Sequence, residues 1–266
     1  MRVLRTLGAV LFVAAMAMPA IGDSGPAPYL APANEPDASH FLPAFPAPGT
    51  KAAAGEMAVY ESTRKYETSS DAALKARWAL ATADDNYKTP AMLSDFGCAL
   101  GTVVTPETVP HLATIYDRVQ KDIEAVSGSA KKSFNRTRPD IGNMEDTCVD
   151  RTIIGTGGSY PSGHTTRGWL FALILTEIAP DRSTQILARG RAYGESRVVC
   201  GAHWPSDIGA GRTTASAVFA ALQSDPAFRA DLEAARSELA AARAHPTAPD
   251  AQRCMVENAA SAQQPW

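Results

Sequence analysis

The sequence has few aromatic residues, no excess of positive charge and no long apolar run beyond its N-terminus. Aromatic side chains make up 7% of the 266 residues, which argues against a surface built to stack bases or sugar rings. The formal net charge is −3, so the chain lacks the basic footprint of a nucleic-acid-binding protein. The longest internal apolar stretch, residues 168–175, is too short to span a bilayer. We therefore expect no nucleic-acid partner and no stable membrane association of the mature chain.

Residues 1–22 have the pattern of a secretory signal peptide. Arg2 and Arg5 precede an apolar segment of about a dozen residues, which is shorter than the roughly 20 residues that span a bilayer. Small residues follow, and cleavage after Gly22 would place Ala20 three positions before the cut. Cleavage after Ala20 and retention as an uncleaved anchor are the alternatives. The pattern predicts export and a periplasmic location.

The chain has only four cysteines, an even number that suits an oxidising compartment. Two disulfides are expected, and three connectivities are open. A buried free thiol is the alternative, above all for Cys200 in its apolar surroundings. Because no cysteine lies within four residues of another, the spacing of a zinc cluster is absent and no metal site is predicted. The four are Cys98, Cys148, Cys200 and Cys254.

Composition divides the rest of the chain into three parts. Residues 23–55 are rich in Pro, Ala and Gly, and we expect an extended lead-in rather than a folded element. Residues 56–245 have a helical pattern without any trustworthy strand alternation, which predicts a single all-α domain. Residues 246–266 are polar and are expected to be mobile, unless Cys254 ties them down.

One predicted helix has a clear amphipathic face. Thr105 followed by Pro106 is typical of an N-cap and a first helical residue, so the helix is predicted to begin there. Apolar residues then recur at steps of three and four, as one face of a helix requires. They are Val109, Leu112, Ile115, Val119, Ile123 and Val126.

Four further helices follow in the second half of the chain. The first runs from Ser162, its predicted N-cap, through Ile178 and stops before Pro180. The others are predicted over residues 181–199, 205–222 and 226–244.

Three polar segments stand out in the sequence, and two of them have features of an anion-binding site. Residues 131–139 form a basic run that ends in Arg138-Pro139. Residues 160–164 begin the helix that Ser162 caps, and a helix start offers unpaired N–H groups and the positive end of the helix dipole. Taken alone, each has an ordinary structural reading as a solvated basic face or a simple cap.

The third segment, residues 196–207, pairs a histidine with a carboxylate. His203 and Asp207 are four residues apart, so one helical turn brings the carboxylate to the imidazole. Asp207 can then hold Nδ1–H and leave Nε2 as a base or nucleophile. A purely structural His–Asp pair is the alternative.

Taken together, the three segments resemble the signature of the type 2 phosphatidic acid phosphatase superfamily in order, spacing and identity. Within it, the sequence is most similar to bacterial class A non-specific acid phosphatases, over roughly residues 56–240. The resemblance implies an all-helical bundle shared with vanadium haloperoxidases, in an enzyme that needs no metal or other cofactor. The matching positions are Lys131, Arg138, Pro139, Pro161, Ser162, Gly163, His164, Ser196, Arg197, His203 and Asp207.

The resemblance implies an exported, broad-specificity acid phosphatase that hydrolyses small phosphate monoesters through a phosphohistidine. His203 would be the nucleophile, Asp207 would orient it, and His164 would be the general acid and later the base. Phosphotransfer to alcohols is an expected side reaction. Arg136 lies outside the motif and is predicted to be surface charge. The phosphate would be held by Lys131, Arg138, Ser162, Gly163 and Arg197.

Other functions remain open at this point. A lipid phosphate phosphatase shares the chemistry but usually has membrane helices around its site. A vanadate-dependent haloperoxidase would use the same anion site, and a non-catalytic anion-binding protein would keep only the cradle. A two-metal hydrolase is disfavoured because Asp207 is the only carboxylate of the predicted site. Family members often self-associate, so a homo-oligomer is a possible assembly.

Overall fold

A computed structural model describes residues 25–141, 147–149, 157–262 and 266. Within these ranges the chain forms eleven α-helices, two 3₁₀ turns and no strand, so the all-α prediction is confirmed. The predicted signal peptide, residues 1–22, lies outside the described residues. In chain order the helices are α1 (Ala38–Phe41), α2 (Lys51–Thr63), α3 (Ala72–Ala83), α4 (Thr89–Asp95), α5 (Gly97–Leu100), α6 (Pro110–Phe134), α7 (Gly163–Ile178), α8 (Ser183–Val199), α9 (Pro205–Leu222), α10 (Pro226–Ala244) and α11 (Ala251–Ala262), with 3₁₀ turns at Pro32–Asn34 and Pro180–Arg182.

Helix α7 lies at the centre of the fold and packs against α6, α8 and α9. Its residues Leu170, Phe171 and Leu175 are fully buried, as expected for a helix that is apolar on most of its faces. It begins after the predicted N-cap Ser162, whose side chain accepts a hydrogen bond from the backbone of Thr165, and it ends before Pro180 as predicted. No helix of the described chain combines the length and apolar character needed to cross a bilayer.

Small residues let α8 and α9 approach the start of α7 closely. A Cβ atom on Gly194 would lie 2.7 Å from Cγ2 of Thr165, and one on Gly211 would lie 2.8 Å from the carbonyl oxygen of Ser162. Both distances are shorter than a packed interior accepts. The two glycines therefore allow the N-terminal turn of α7 to sit against α8 and α9, which flank the His–Asp segment.

Helix α6 presents the predicted apolar face to the core, but it begins later than predicted. Residues Thr105 to Thr108 form a turn in which Thr108 N–H donates to the Thr105 carbonyl over 3.0 Å. The second proline, Pro110, takes the first helical position instead of Pro106. The predicted face is buried throughout, at Val109, Leu112, Ile115, Val119, Ile123 and Val126.

The prediction of an extended lead-in over residues 23–55 is wrong for its described part. It contains a 3₁₀ turn, helix α1 and the start of α2. Tyr29 and Leu30 are buried, and their backbone N–H groups donate to the carboxylate of Asp122 on α6 over 3.3 and 2.9 Å. The Pro- and Ala-rich composition of the segment does not show the role of these two residues, which attach it to α6.

The described part of the tail has the tie through Cys254 that was the stated exception to its predicted mobility. It forms α11, whose Glu257 is buried and whose Arg253 donates to the carboxylate of Asp95 over 2.6 Å. The Cys98–Cys254 disulfide joins α11 to α5, and a second disulfide joins Cys148 to Cys200. All four cysteines are paired, which settles the connectivity that the sequence left open.

The Cys98–Cys254 bond is expected to contribute strongly to stability, because it closes a loop of 156 residues. Cys98→Ala/Cys254→Ala should lower the free energy of unfolding by about 2–4 kcal/mol in urea titrations, since the unfolded chain regains the freedom of that loop. Met255→Ala is the control, because Met255 lies beside Cys254 and is 60% exposed. It should cost less than about 0.5 kcal/mol. Equal effects of the two variants would contradict the role of the disulfide.

Candidate active site

The three polar segments meet at one cavity of about 540 Å³. Arg138 follows α6, His164 lies in the first turn of α7, and His203 lies between α8 and α9. The backbone also joins two of the segments, since Ser162 N–H donates to the Asp207 carbonyl over 3.1 Å. The charged and aromatic side chains that line the cavity include Asp85, Tyr87, Lys88, Arg138, His164, Arg197 and His203.

His203 is held in one tautomer by its two neighbours. Its Nδ1 lies 3.1 Å from Oδ2 of Asp207, and its Nε2 lies 2.9 Å from Nη1 of Arg138. A guanidinium has no acceptor, so Nε2 must accept and Nδ1 must carry the proton given to Asp207. Burial, then Arg138, Lys131 and Arg197, hold the pKa of His203 well below its ordinary value. The imidazole is therefore neutral, with its lone pair on Nε2.

Asp207 is fully buried and receives several polar contacts. Besides His203, its carboxylate accepts from the backbone N–H of Trp204 over 3.0 Å and from Nη1 of Arg136 over 2.6 Å. Burial raises the pKa of Asp207, whereas Arg136 and the Trp204 N–H lower it. The N–H donor of Trp204 lies at the start of α9, so Asp207 also caps the helix that carries it.

Arg136, which was predicted to be surface charge, is instead 7% exposed and belongs to the site. Its second nitrogen donates to Glu56 of α2 over 2.5 Å, and the other Glu56 oxygen accepts from Ser206 N–H over 2.7 Å. Arg136 thus joins α2 to Asp207. No local signal predicts this role, because a basic run does not show which of its members is buried.

Three cations surround the histidine. Lys131 donates to the Gly158 carbonyl over 2.7 Å, and burial together with Arg138 lowers the pKa of Lys131 to about 7. Arg197 is 3% exposed. Its Nη1 donates to Asp85 over 2.7 Å, while its Nε has no hydrogen-bond partner among the described residues. A tetrahedral anion in the cavity would supply the missing charge and acceptors.

The start of α7 provides backbone donors. Ser162 is fully buried, and its hydroxyl accepts from the N–H and the Oγ1 of Thr165, over 3.3 and 2.9 Å. Gly163 and His164 follow in the first turn, where N–H groups have no partner within the helix. A Cβ on Gly163 would lie 3.1 Å from Nη1 of Arg167, which is a tight contact. The absence of a side chain at Gly163 therefore leaves room for Arg167 beside the first turn of α7.

His164 is held by a residue that sequence reasoning missed. Its Nε2 lies 3.0 Å from the carbonyl oxygen of Asp85 and 3.6 Å from Oδ1 of the same residue. Tyr87 packs edge-on against the imidazole, with 4.8 Å between the ring centroids. Burial and Arg197 lower the pKa of His164 well below its ordinary value. Asp85 stands in a polar loop after α3, where nothing distinguishes it from surface residues.

Metal ligands are not clustered in the described chain, since no group of three or more His, Cys, Asp or Glu side chains is arranged to hold an ion. The positive charges that line the cavity include Lys88, Arg138 and Arg197.

Comparison with known proteins places this site in a family. Residues 123–228 match the model of the PAP2 superfamily. An acid phosphatase of Zymomonas mobilis is 41% identical over 222 residues, covering 83% of this chain and 82% of that protein. A non-specific acid phosphatase of Providencia stuartii is 34% identical over 215 residues, covering 80% and 84%, and one of Salmonella typhimurium is 38% identical over 170 residues, covering 61% and 66%. The chain therefore belongs to the PAP2 superfamily, among the class A type of bacterial acid phosphatases.

Arg136 is expected to be essential for stability. Arg136→Gln leaves the buried Asp207 short of a countercharge and should lower the free energy of unfolding by about 3–5 kcal/mol near neutral pH. Since the variant raises the pKa of Asp207 further, the deficit should shrink as the pH falls through that pKa and the carboxyl becomes neutral. Urea titrations near pH 7 and near pH 5 would measure both effects.

Arg243→Gln is the matched control, because Arg243 pairs with the exposed Asp181 on the surface. It should cost less than about 1 kcal/mol at either pH. An Arg136→Gln deficit that is equally small, or that grows on acidification, would show that the buried pair has no such role.

Proposed function

We propose that this chain hydrolyses phosphate monoesters through a covalent phosphohistidine at His203. The observation that carries the proposal is the tautomer of His203. Asp207 accepts a hydrogen bond from Nδ1–H, and Arg138 donates to Nε2, so the lone pair lies on the atom that faces the cations. The acid phosphatase relatives support a phosphate monoester as the substrate.

In the first step the phosphoryl group would bind between Lys131, Arg138 and Arg197. The Nε2 lone pair of His203 forms a bond to phosphorus while the bond to the ester oxygen breaks. The electron pair of that bond moves to the ester oxygen, which takes a proton from His164 and leaves as the alcohol. General-acid assistance of this kind typically contributes about 10²–10⁴ in rate.

In the second step water replaces the alcohol. His164, now neutral, accepts a proton from the water as its oxygen bonds to phosphorus. The bond from phosphorus to Nε2 breaks, its electron pair returns to His203, and inorganic phosphate leaves. An alcohol in place of water would give phosphotransfer instead. Asp207 stabilises the positive imidazole ring while the phosphoryl group is attached.

The cluster of cations suits the electrostatic demand of phosphoryl transfer. The transition state spreads negative charge over three equatorial oxygens, so positioning and charge stabilisation supply most of the rate. Arg138 and Arg197 offer planar forks that match two oxygens each. Ser162, Gly163 and the first turn of α7 add further donors.

We also propose that the protein is exported and broad in specificity. Two disulfides within the described chain favour an oxidising compartment, in agreement with the secretory pattern of residues 1–22. The cavity of about 540 Å³ exceeds the space that a phosphate needs. Its lining also includes Asn86, Tyr87 and Lys88, and the remaining volume would accept leaving groups of varied shape.

His203→Ala tests the proposal directly. Wild-type protein should hydrolyse p-nitrophenyl phosphate in the presence of a chelator, and the variant should lose about 10⁴-fold or more of kcat because no other group can form the intermediate. His111→Ala is the control, since His111 is exposed and contacts Glu238. Its rate should be unchanged. Full activity of His203→Ala, or no wild-type activity from acidic to neutral pH, would refute the proposed function.

A further inference from the structure

The proposed mechanism requires His164 to hold an extra proton in surroundings that oppose it. Burial is the largest effect that lowers the pKa of His164, followed by the positive charge of Arg197 on α8. Arg167 on α7 and His203 lower it further. Lys88 adds another positive charge to the wall of the same cavity. A general acid needs a neighbouring negative charge that acts when the substrate is bound.

Asp85 is placed to supply that charge. Its Oδ1 lies 2.7 Å from Nη1 of Arg197 and 3.6 Å from Nε2 of His164, so one carboxylate oxygen faces both groups. Its backbone carbonyl lies 3.0 Å from the same Nε2. A carbonyl only accepts, so Nε2 carries a proton toward Asp85, and any second proton must reside on Nδ1.

Two anions would compete for the positive charge of Arg197, namely the Asp85 carboxylate and a bound phosphate. Among the described residues its guanidinium donates to Asp85 through Nη1, whereas Nε has no hydrogen-bond partner. A phosphate dianion would compete with a single carboxylate oxygen for this guanidinium, because a fork binds two phosphate oxygens at once. The carboxylate released in this way would remain beside Nε2 of His164, which lies 3.6 Å from Oδ1.

We propose that Asp85 is a positioning residue whose carboxylate passes from Arg197 to His164 when a phosphate monoester binds. The inference rests on the proposed function and adds a residue to it. In the free protein Asp85 holds Arg197 in place and compensates its buried charge. In the complex the substrate takes over Arg197, and Asp85 stabilises the protonated imidazole. The imidazole of His164 therefore carries its second proton when an ester is bound.

Two other carboxylates of the site are already engaged. Asp207 accepts from His203, Arg136 and Trp204, and Glu56 accepts from Arg136 and Ser206. Neither contacts His164 in the described chain. Asp85 is 35% exposed at its side chain, in contrast to the fully buried Asp207, and its loop position gives it the freedom that a change of partner requires.

The leaving group distinguishes this role from a structural one. A nitrophenolate leaves readily without a proton, whereas an alkoxide needs one. Asp85→Asn keeps the size of the side chain and the backbone carbonyl but removes the charge. We expect kcat for glycerol 2-phosphate to fall about 10²-fold or more, and kcat for p-nitrophenyl phosphate to fall less than about 10-fold.

Two further measurements follow from the same change of partner. The alkaline decline of kcat for glycerol 2-phosphate should move to lower pH in Asp85→Asn, because His164 loses its proton more easily without the carboxylate. Inorganic phosphate should inhibit the variant at lower concentration, since Arg197 no longer has a competing anion. In a His164→Ala background, Asp85→Asn should cause little additional loss on glycerol 2-phosphate.

Controls separate the possible failures. Asp181→Asn, on the surface and paired with Arg243, should leave both substrates unaffected, and Asp85→Glu should retain part of the activity on glycerol 2-phosphate. If wild-type protein cleaves neither ester, the proposed function fails. If it cleaves both and Asp85→Asn slows both equally, with unchanged pH dependence and an unchanged thermal unfolding midpoint, the inference about Asp85 is overturned while the proposed function stands.

Discussion

Burial of the Asp207 carboxylate is the constraint on which the rest of the site depends. A charge without solvent must be matched by donors and a countercharge, and here Arg136, His203 and the Trp204 backbone provide them. Arg136 is buried in turn and requires Glu56 on α2. The result is a line of alternating charge that runs from α2 to the cavity. Helix α2 is therefore part of the site although it contributes no residue to the sequence motifs.

The cations on the other side of His203 create the opposite demand. Burial lowers the pKa of Lys131 to about 7, and the positive charges of Arg138 and Arg197 contribute to the same shift. Asp85 offsets part of this charge at Arg197. A phosphate dianion would offset more of it. A site with uncompensated positive charge favours the binding of an anion. The same uncompensated charge lowers the stability of the fold, as expected at a preorganised centre.

Local signals in the sequence were sufficient for the helices that build the site. Ser162 and Pro180 mark the ends of α7, and steps of three and four mark the buried face of α6. The predicted start of α6 at Pro106 was wrong because a second proline, Pro110, offers the same first-turn geometry. Only packing decides between the two prolines. The lead-in failed for a different reason. Tyr29 and Leu30 are isolated apolar residues, and their value depends on Asp122, which lies about 90 positions away.

The site showed the same division between local and tertiary information. His203 and Asp207 are one helical turn apart, so their contact follows from spacing alone. The burial of Arg136 and the contact of Asp85 with His164 depend on long-range contacts of residues 71 and 79 positions apart. Neither residue differs from an ordinary surface charge in its local sequence. Motif spacing therefore identified the groups proposed to touch phosphate, but not the charges that hold those groups.

His203 and His164 each have an aspartate partner, Asp207 and Asp85 respectively, yet their surroundings suit them to different tasks. At His203, Arg138 donates to Nε2, and this contact excludes a proton from the atom proposed to attack phosphorus. At His164 no cation donates to the ring within the described chain, and the carbonyl of Asp85 holds one N–H. That ring can gain a second proton without breaking a contact. The direction of a single hydrogen bond, from arginine to ring or from ring to carbonyl, therefore separates the proposed nucleophile from the proposed acid.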